Sequence, residues 1–198
     1  KPASAQNAEI TELVSNILST GNDNISIENA KFSSTGKLLS FSSGDTDYKV
    51  SYNSGNIRSI TGSIDNKKTQ TYSLNYKKGE LSSVEQTYFG NSQLKTSSVV
   101  SYYDNSGVRT KEERTDYDNG QRTGKSVTDF SQEGIQVVKY YDKNNKLIET
   151  VESLADTGTN ESILPQSMQK DTQEANSVLK KPSPSKSSGT KSFFNSSS

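Results

Sequence analysis

The chain reads as a mainly β protein: an antiparallel meander of about nine or ten short strands, with a short N-terminal helix before it and a disordered C-terminal tail after it. Three observations predict this. A unit of one aromatic or apolar residue, a few turn formers and a second apolar or long residue recurs along the middle of the chain. The stretches between these units are rich in β-branched and aromatic residues, which suit a pleated surface. All ten tyrosines lie between positions 48 and 141, inside the repeating region. The chain accordingly divides into a leader-proximal segment with the helix (1–21), a β-meander repeat domain (22–154), and a linker with a weak helix and a Ser/Lys/Pro tail (155–198).

The helix is expected over residues 7–19. Ile10, Leu13, Val14, Ile17 and Leu18 recur at three- and four-residue spacings and share one face. Asn7 is the expected N-cap, Glu9 and Glu12 suit the first turns, and Gly21 marks the stop. A helix this short is marginal in water, so its apolar stripe is expected to dock on the first strands.

The repeating units begin at Phe32, Tyr52, Ile64, Tyr76, Tyr88, Tyr103, Tyr117, Phe130 and Tyr141, and from Ile64 onward the starts are 12, 12, 15, 14, 13 and 11 residues apart. That interval holds one strand and one turn. Asp and Asn side chains bond the backbone two residues on, and Gly and Asn accept the positive φ of tight hairpins. Thr96–Tyr103, Lys125–Phe130 and Ile135–Tyr141 supply strands of high β propensity. Val108–Tyr117 has almost nothing apolar between its ends, so its two faces are expected to be partly wet. Two arrangements satisfy this pattern. One is an open or gently rolled sheet in which Lys and Arg stems lie across tyrosine rings. The other is closure into a barrel, which removes the edges.

Tyr103-Asp-Asn-Ser-Gly-Val108, Tyr117-Asp-Asn-Gly-Gln121 and Tyr141-Asp-Lys-Asn-Asn-Lys-Leu147 resemble the tyrosine-aspartate repeats of bacterial wall-associated and toxin-shell proteins, and are similar to the units of MORN-type repeats. The resemblance implies β-hairpins with a structural, non-catalytic role.

Composition narrows the function. Only 28% of the 198 residues are hydrophobic, and mean hydropathy is −0.86, so the core is thin. Lys+Arg and Asp+Glu are both 23, so no basic excess directs the chain to nucleic acid. Histidine and cysteine are both absent, which removes His-dependent triads, thiolate chemistry and the usual zinc sets. Asp116 and Asp118 sit where a calcium loop would begin, but Gln121 and Val127 occupy positions that such a loop fills with Gly and Glu. They read as a turn, as does the Asp45/Asp47 pair beside Gly44. No catalytic residue, metal or cofactor is expected, and no transmembrane segment.

Lys1 opens the sequence, and Ala3-Ser4-Ala5 has the small-x-small form that ends a secretory signal. The expectation is therefore an exported or cell-surface, non-catalytic binding or scaffold protein. Its sheet surface would offer Tyr52, Tyr76, Tyr88, Tyr102, Tyr117 and Tyr140 to another protein or a surface glycan. The alternative is a secreted small-ligand carrier or inhibitor with a rolled β-sheet cavity that the helix plugs. The two differ in whether the tyrosines line an exposed face or converge on a pocket.

Overall fold

The structure, a computed structural model, describes residues 3–20, 25–155 and 161–169. Among these residues one helix, α1 (Ala3–Leu18), precedes eleven strands: β1 (Glu28–Phe32), β2 (Leu38–Ser43), β3 (Thr46–Asn53), β4 (Asn56–Ile64), β5 (Lys67–Lys77), β6 (Glu80–Phe89), β7 (Lys95–Tyr103), β8 (Arg109–Asp118), β9 (Gln121–Asp129), β10 (Ile135–Asp142) and β11 (Leu147–Leu154). A 3₁₀ turn, Gln166–Met168, follows. The strands form one antiparallel sheet in chain order, with β1 and β11 as its edges, so the sheet is open. The tail expected to be disordered, the Gly21 helix stop and most of the weak helix expected at 166–180 lie outside the described residues.

Two turn designs build most of the meander. Ser54-Gly55, Asp65-Asn66, Lys78-Gly79 and Asn119-Gly120 each have positive φ at both positions, as the primed two-residue hairpin requires. Longer turns close around Asp104 and Asp142. The Asp104 carboxylate accepts the N–H groups of Ser106 and Val108 at 2.9 and 3.0 Å. That of Asp142 accepts those of Asn144 and Lys146 at 2.8 and 2.9 Å. These two donors hold the Asp142 carboxyl below its usual range. Asp116 and Asp118, read from the sequence as a turn, instead lie in β8: Asp118, opposite Gln121, leads into the Asn119-Gly120 turn, while Asp116 pairs with Gly124 in the ladder and its carboxylate accepts from Arg114.

The helix starts earlier than the sequence reading placed it. Asn7 is not its N-cap but an interior residue, whose carbonyl accepts the Thr11 hydroxyl at 2.7 Å. Alanines at 3, 5 and 8 favour propagation over an early stop. At the other end Ser19 N–H bonds Ser15 O at 2.9 Å.

The helix docks on one face of the first strands. Val14, Ile17 and Leu18 are buried with Leu38, Phe41, Tyr48, Val50, Ile57, Ile60, Tyr72, Leu74 and Val84. Phe41 and Tyr48 stack at 4.8 Å between centroids, and Gly62, opposite Tyr48, leaves room for that ring: a Cβ there would stand 2.9 Å from it. A single cross-strand row shows where cover ends. Val50, Ile60, Tyr72, Gln86, Val99, Arg114, Ser126, Tyr140 and Glu149 are successive partners across nine strands. The first three are buried, the next two half-buried, and Arg114, Tyr140 and Glu149 exposed. The sheet is therefore two-layered under α1 and single-layered beyond it.

Candidate functional site

No residue of β8, β9, β10 or β11 is buried. Both faces of these strands meet water, and long side chains supply what cover they have. Lys111 Nζ lies 4.4 Å from the centre of the Tyr102 ring, Arg109 Cζ 4.4 Å from that of Phe130, and Lys125 Nζ 5.1 Å from that of Tyr141. Along β8, Lys111 pairs with Glu113 at 3.4 Å and Arg114 with Asp116 at 3.1 Å, each two residues apart and so on one face. The face away from the helix also carries a row of hydroxyls, Thr61, Thr71, Thr87, Ser98 and Thr115, on adjacent strands.

The six tyrosines singled out from the sequence fall into separate places. Tyr88 and Tyr140 share the helix side of the sheet and are exposed. Tyr88 ends a polar chain: Gln70 Nε2 donates to Tyr48 Oη at 2.6 Å, Tyr72 Oη donates to Gln70 Oε1 at 3.3 Å, and Gln86 Nε2 donates to Tyr72 Oη at 2.8 Å and also to Tyr88 Oη. Tyr102 lies on the opposite face, between Ser83 and Lys111. Tyr117 is half-buried near the end of β8, opposite Arg122.

Tyr52 and Tyr76 come together at the other place of interest, a groove of about 560 Å³ at one end of the sheet. Its walls are Ile10 and Leu13 of α1, Ile57, Leu81 and the two tyrosines, closed by Leu164 and Met168. The rim holds Asn56, Glu80, Asp104 and Asn105. Tyr52 donates its hydroxyl to Leu38 O and Tyr76 to Ile57 O, both at 2.8 Å, so each ring is tied to the preceding strand. Tyr103, also packed against the core, meets Thr20 at 3.5 Å. These three tyrosines lie within one residue of the ends of β3, β5 and β7, alternate strands whose ends coincide in a meander.

Sequence reasoning missed the part played by Ile163, Leu164 and Pro165, which it placed in the linker. Ile163 N–H bonds Gly107 O at 2.8 Å, and Asn16 Nδ2 donates to Ile163 O at 2.9 Å. The available signal was an apolar run in otherwise polar sequence.

Burial pushes the Tyr76 hydroxyl up to about 12, with the neighbouring Tyr52 adding to it, and burial raises Tyr52 as well. The folded chain therefore keeps its tyrosine protons where the unfolded chain, near 10.0, loses them. The stability contribution is complete below pH 10 and falls as pH rises toward 12. Urea titrations across that window are expected to show a loss on the order of 1 kcal/mol from Tyr76 after allowing for solvent screening. Tyr76→Phe will flatten the alkaline slope while losing about 1 kcal/mol at neutral pH with the hydroxyl bond.

Among the described residues no group of three or more carboxylates gathers as a metal site, and no helix is long and apolar enough to cross a membrane. Asp45 sits in the β2–β3 turn, and Asp47 is paired in the ladder with Ser42 and Ser63.

No protein-family model matches the chain, and no curated protein matches it. Among solved structures it is similar to a protein of unknown function from Bacteroides fragilis, at 13% identity over 72% of this chain and 99% of that chain, with a TM-score of 0.33. Likeness of that degree carries no argument about function.

Proposed function

We propose that the chain is a non-catalytic binding or scaffold protein, exported or displayed at the cell surface, that holds another protein on the uncovered half of its sheet. The observation that carries this reading is the complete lack of buried residues in β8–β11. Four strands kept in register without a second layer present a wide surface with Tyr140 and Arg114 standing out of one face. Tyrosine and arginine are, with tryptophan, the side chains enriched among those that dominate protein interfaces. The Tyr-Asp units serve this surface as hairpin formers, through Asp104 and Asp142, and do not themselves contact the partner.

The test uses the full chain immobilised against the extracellular and wall fractions of its source, beside a Tyr140→Ser/Arg114→Ser variant. A specific partner is expected to bind the parent and lose at least about tenfold in affinity with the variant. Equal binding by both, or retention that depends only on glycan and survives protease treatment, overturns the protein-binding reading. Fractionation that finds the chain solely in the cytosol overturns export.

The groove favours a second reading, carriage of a small apolar molecule. Its volume and its walls with a polar rim are those of ligand sites. Displacement of an apolar fluorescent dye, abolished by Leu81→Glu, supports it; dye binding that the substitution leaves unchanged removes it.

A further inference from the structure

The two edges of the sheet differ in kind. β1 is five residues long and irregular, with register shifts on both sides of Lys31 and positive φ at Asn29, which blunts it against further pairing. β11 is eight residues long, regular from Glu149 to Leu154, and exposed throughout. Among the described residues nothing pairs with its outer edge.

The backbone of β11 fixes which residues can pair outward. Ala155 N–H bonds Gly134 O at 3.0 Å, so by alternation Ser153, Val151 and Glu149 direct their N–H and C=O toward β10. Thr150, Glu152 and Leu154 direct theirs to the open side. An antiparallel partner that is a second copy of the same strand must set outward residues opposite outward residues. The two-fold axis therefore passes through a residue, not between two.

Only a few axes remain. An axis on Glu149 or Glu152 sets two carboxylates face to face, which is repulsive. An axis on Thr150 sets Glu149 against Val151 and one on Ser153 sets Glu152 against Leu154, each opposing a carboxylate to an apolar residue. An axis on Val151 does neither. It pairs Val151 with itself, brings Leu154 alongside Ile148 of the other copy, and sets Thr150 opposite Glu152 and Glu149 opposite Ser153. The segment Ile148-Glu-Thr-Val-Glu-Ser-Leu154 thus has a hydroxyl on one side of its centre wherever it has a carboxylate on the other. Reversed upon itself, it matches hydrogen-bond donors to acceptors and apolar residues to apolar residues.

We propose that β11 is a homodimerisation edge: two copies of the chain join antiparallel through it, with Val151 on the two-fold axis, to make one continuous sheet. The join is isologous and closes after two copies, and the blunted β1 prevents growth from the far side. It buries neither face of β8–β11, so it stands independently of the partner proposed for those faces.

The chain has no cysteine, which makes the register directly measurable. Val151 would face its mate at a non-hydrogen-bonded site, where Cα atoms lie about 4.5 Å apart, within the range a disulfide spans. Val151→Cys is expected to give a covalent dimer on mild oxidation, and Thr150→Cys to give little. Glu152→Pro removes an outward N–H that β10 does not use. It is expected to weaken dimerisation in sedimentation equilibrium by at least about tenfold, with the circular dichroism spectrum and melting of the monomer retained. A parent chain that sediments as a monomer at the highest soluble concentration overturns the proposal. So do crosslinking through Thr150→Cys in preference to Val151→Cys, and a dimer indifferent to a folded Glu152→Pro variant. If Glu152→Pro does not fold, the two cysteine variants decide alone.

Discussion

Ile60→Ala is expected to lower stability by about 2–5 kcal/mol, the range for a large-to-small change at a site that cannot collapse. Ile60 is fully buried. It pairs with Val50 on one side and Tyr72 on the other, beneath the stripe that α1 lays over them. None of these neighbours can fill the void without leaving its own strand position. Val138→Ala, on the same face but beyond the helix, removes a half-buried side chain with water above it and is expected to cost less than about 1 kcal/mol. Chemical denaturation of the two variants measures the contrast directly. Amide exchange offers an independent check, since the β2–β7 ladder will outlast that of β8–β11. Similar losses from both substitutions would contradict the division into a covered and an uncovered half.

Gly107→Ala is expected to be nearly as damaging, for a different reason. Gly107 has φ of +80°, a conformation that costs an L-residue about 1–2 kcal/mol. A Cβ there would also lie 2.7 Å from Ser162 Oγ and 2.8 Å from Leu164 Cγ. That contact is where the 161–169 segment is fastened: Ser162 Oγ donates to Ser106 O at 2.5 Å, Val108 bridges Ser162, and Ile163 reaches Gly107 O. The added methyl must push the segment off the turn, taking Leu164 from the groove and Ile163 from the core. A total loss of about 2–4 kcal/mol follows. Thermal melts will register the loss, and protease accessibility at 161–169 will show its location. Gly79→Ala is the control, because Gly79 shares the positive φ but has open space around it. If the two variants behave alike, backbone strain alone is responsible and the fastening role fails.

The tyrosines show how far sequence goes. Their recurrence located strands and turns, because a Tyr followed by Asx and Gly marks the place where a strand ends. It could not say which rings would be covered. Tyr52, Tyr76 and Tyr88 belong to equivalent units, yet the first two sit at the groove with their hydroxyls tied to carbonyls, while Tyr88 is exposed on a strand that runs the other way. The same holds for β8. Its charged sequence was legible as a strand wet on both faces, and Lys111 over Tyr102 is the kind of cover that was expected. Nothing in it revealed that three further strands would share that condition. The extra strands relative to the nine or ten expected include β1, whose five residues carry no alternating pattern to count.

What the sequence determined by itself is local. The reversals at Asp and Gly, the strands between them and the apolar stripe of α1 follow from backbone conformations and side-chain spacings that span a few residues, so they are written where they act. The tertiary structure alone decided which strands α1 covers, and so which half of the sheet stays bare. It also brought Ile163 to Asn16, 147 residues earlier in the chain, to close the groove. Those outcomes depend on contacts between distant segments, whose energies come from complementary burial and leave no periodic trace along the chain.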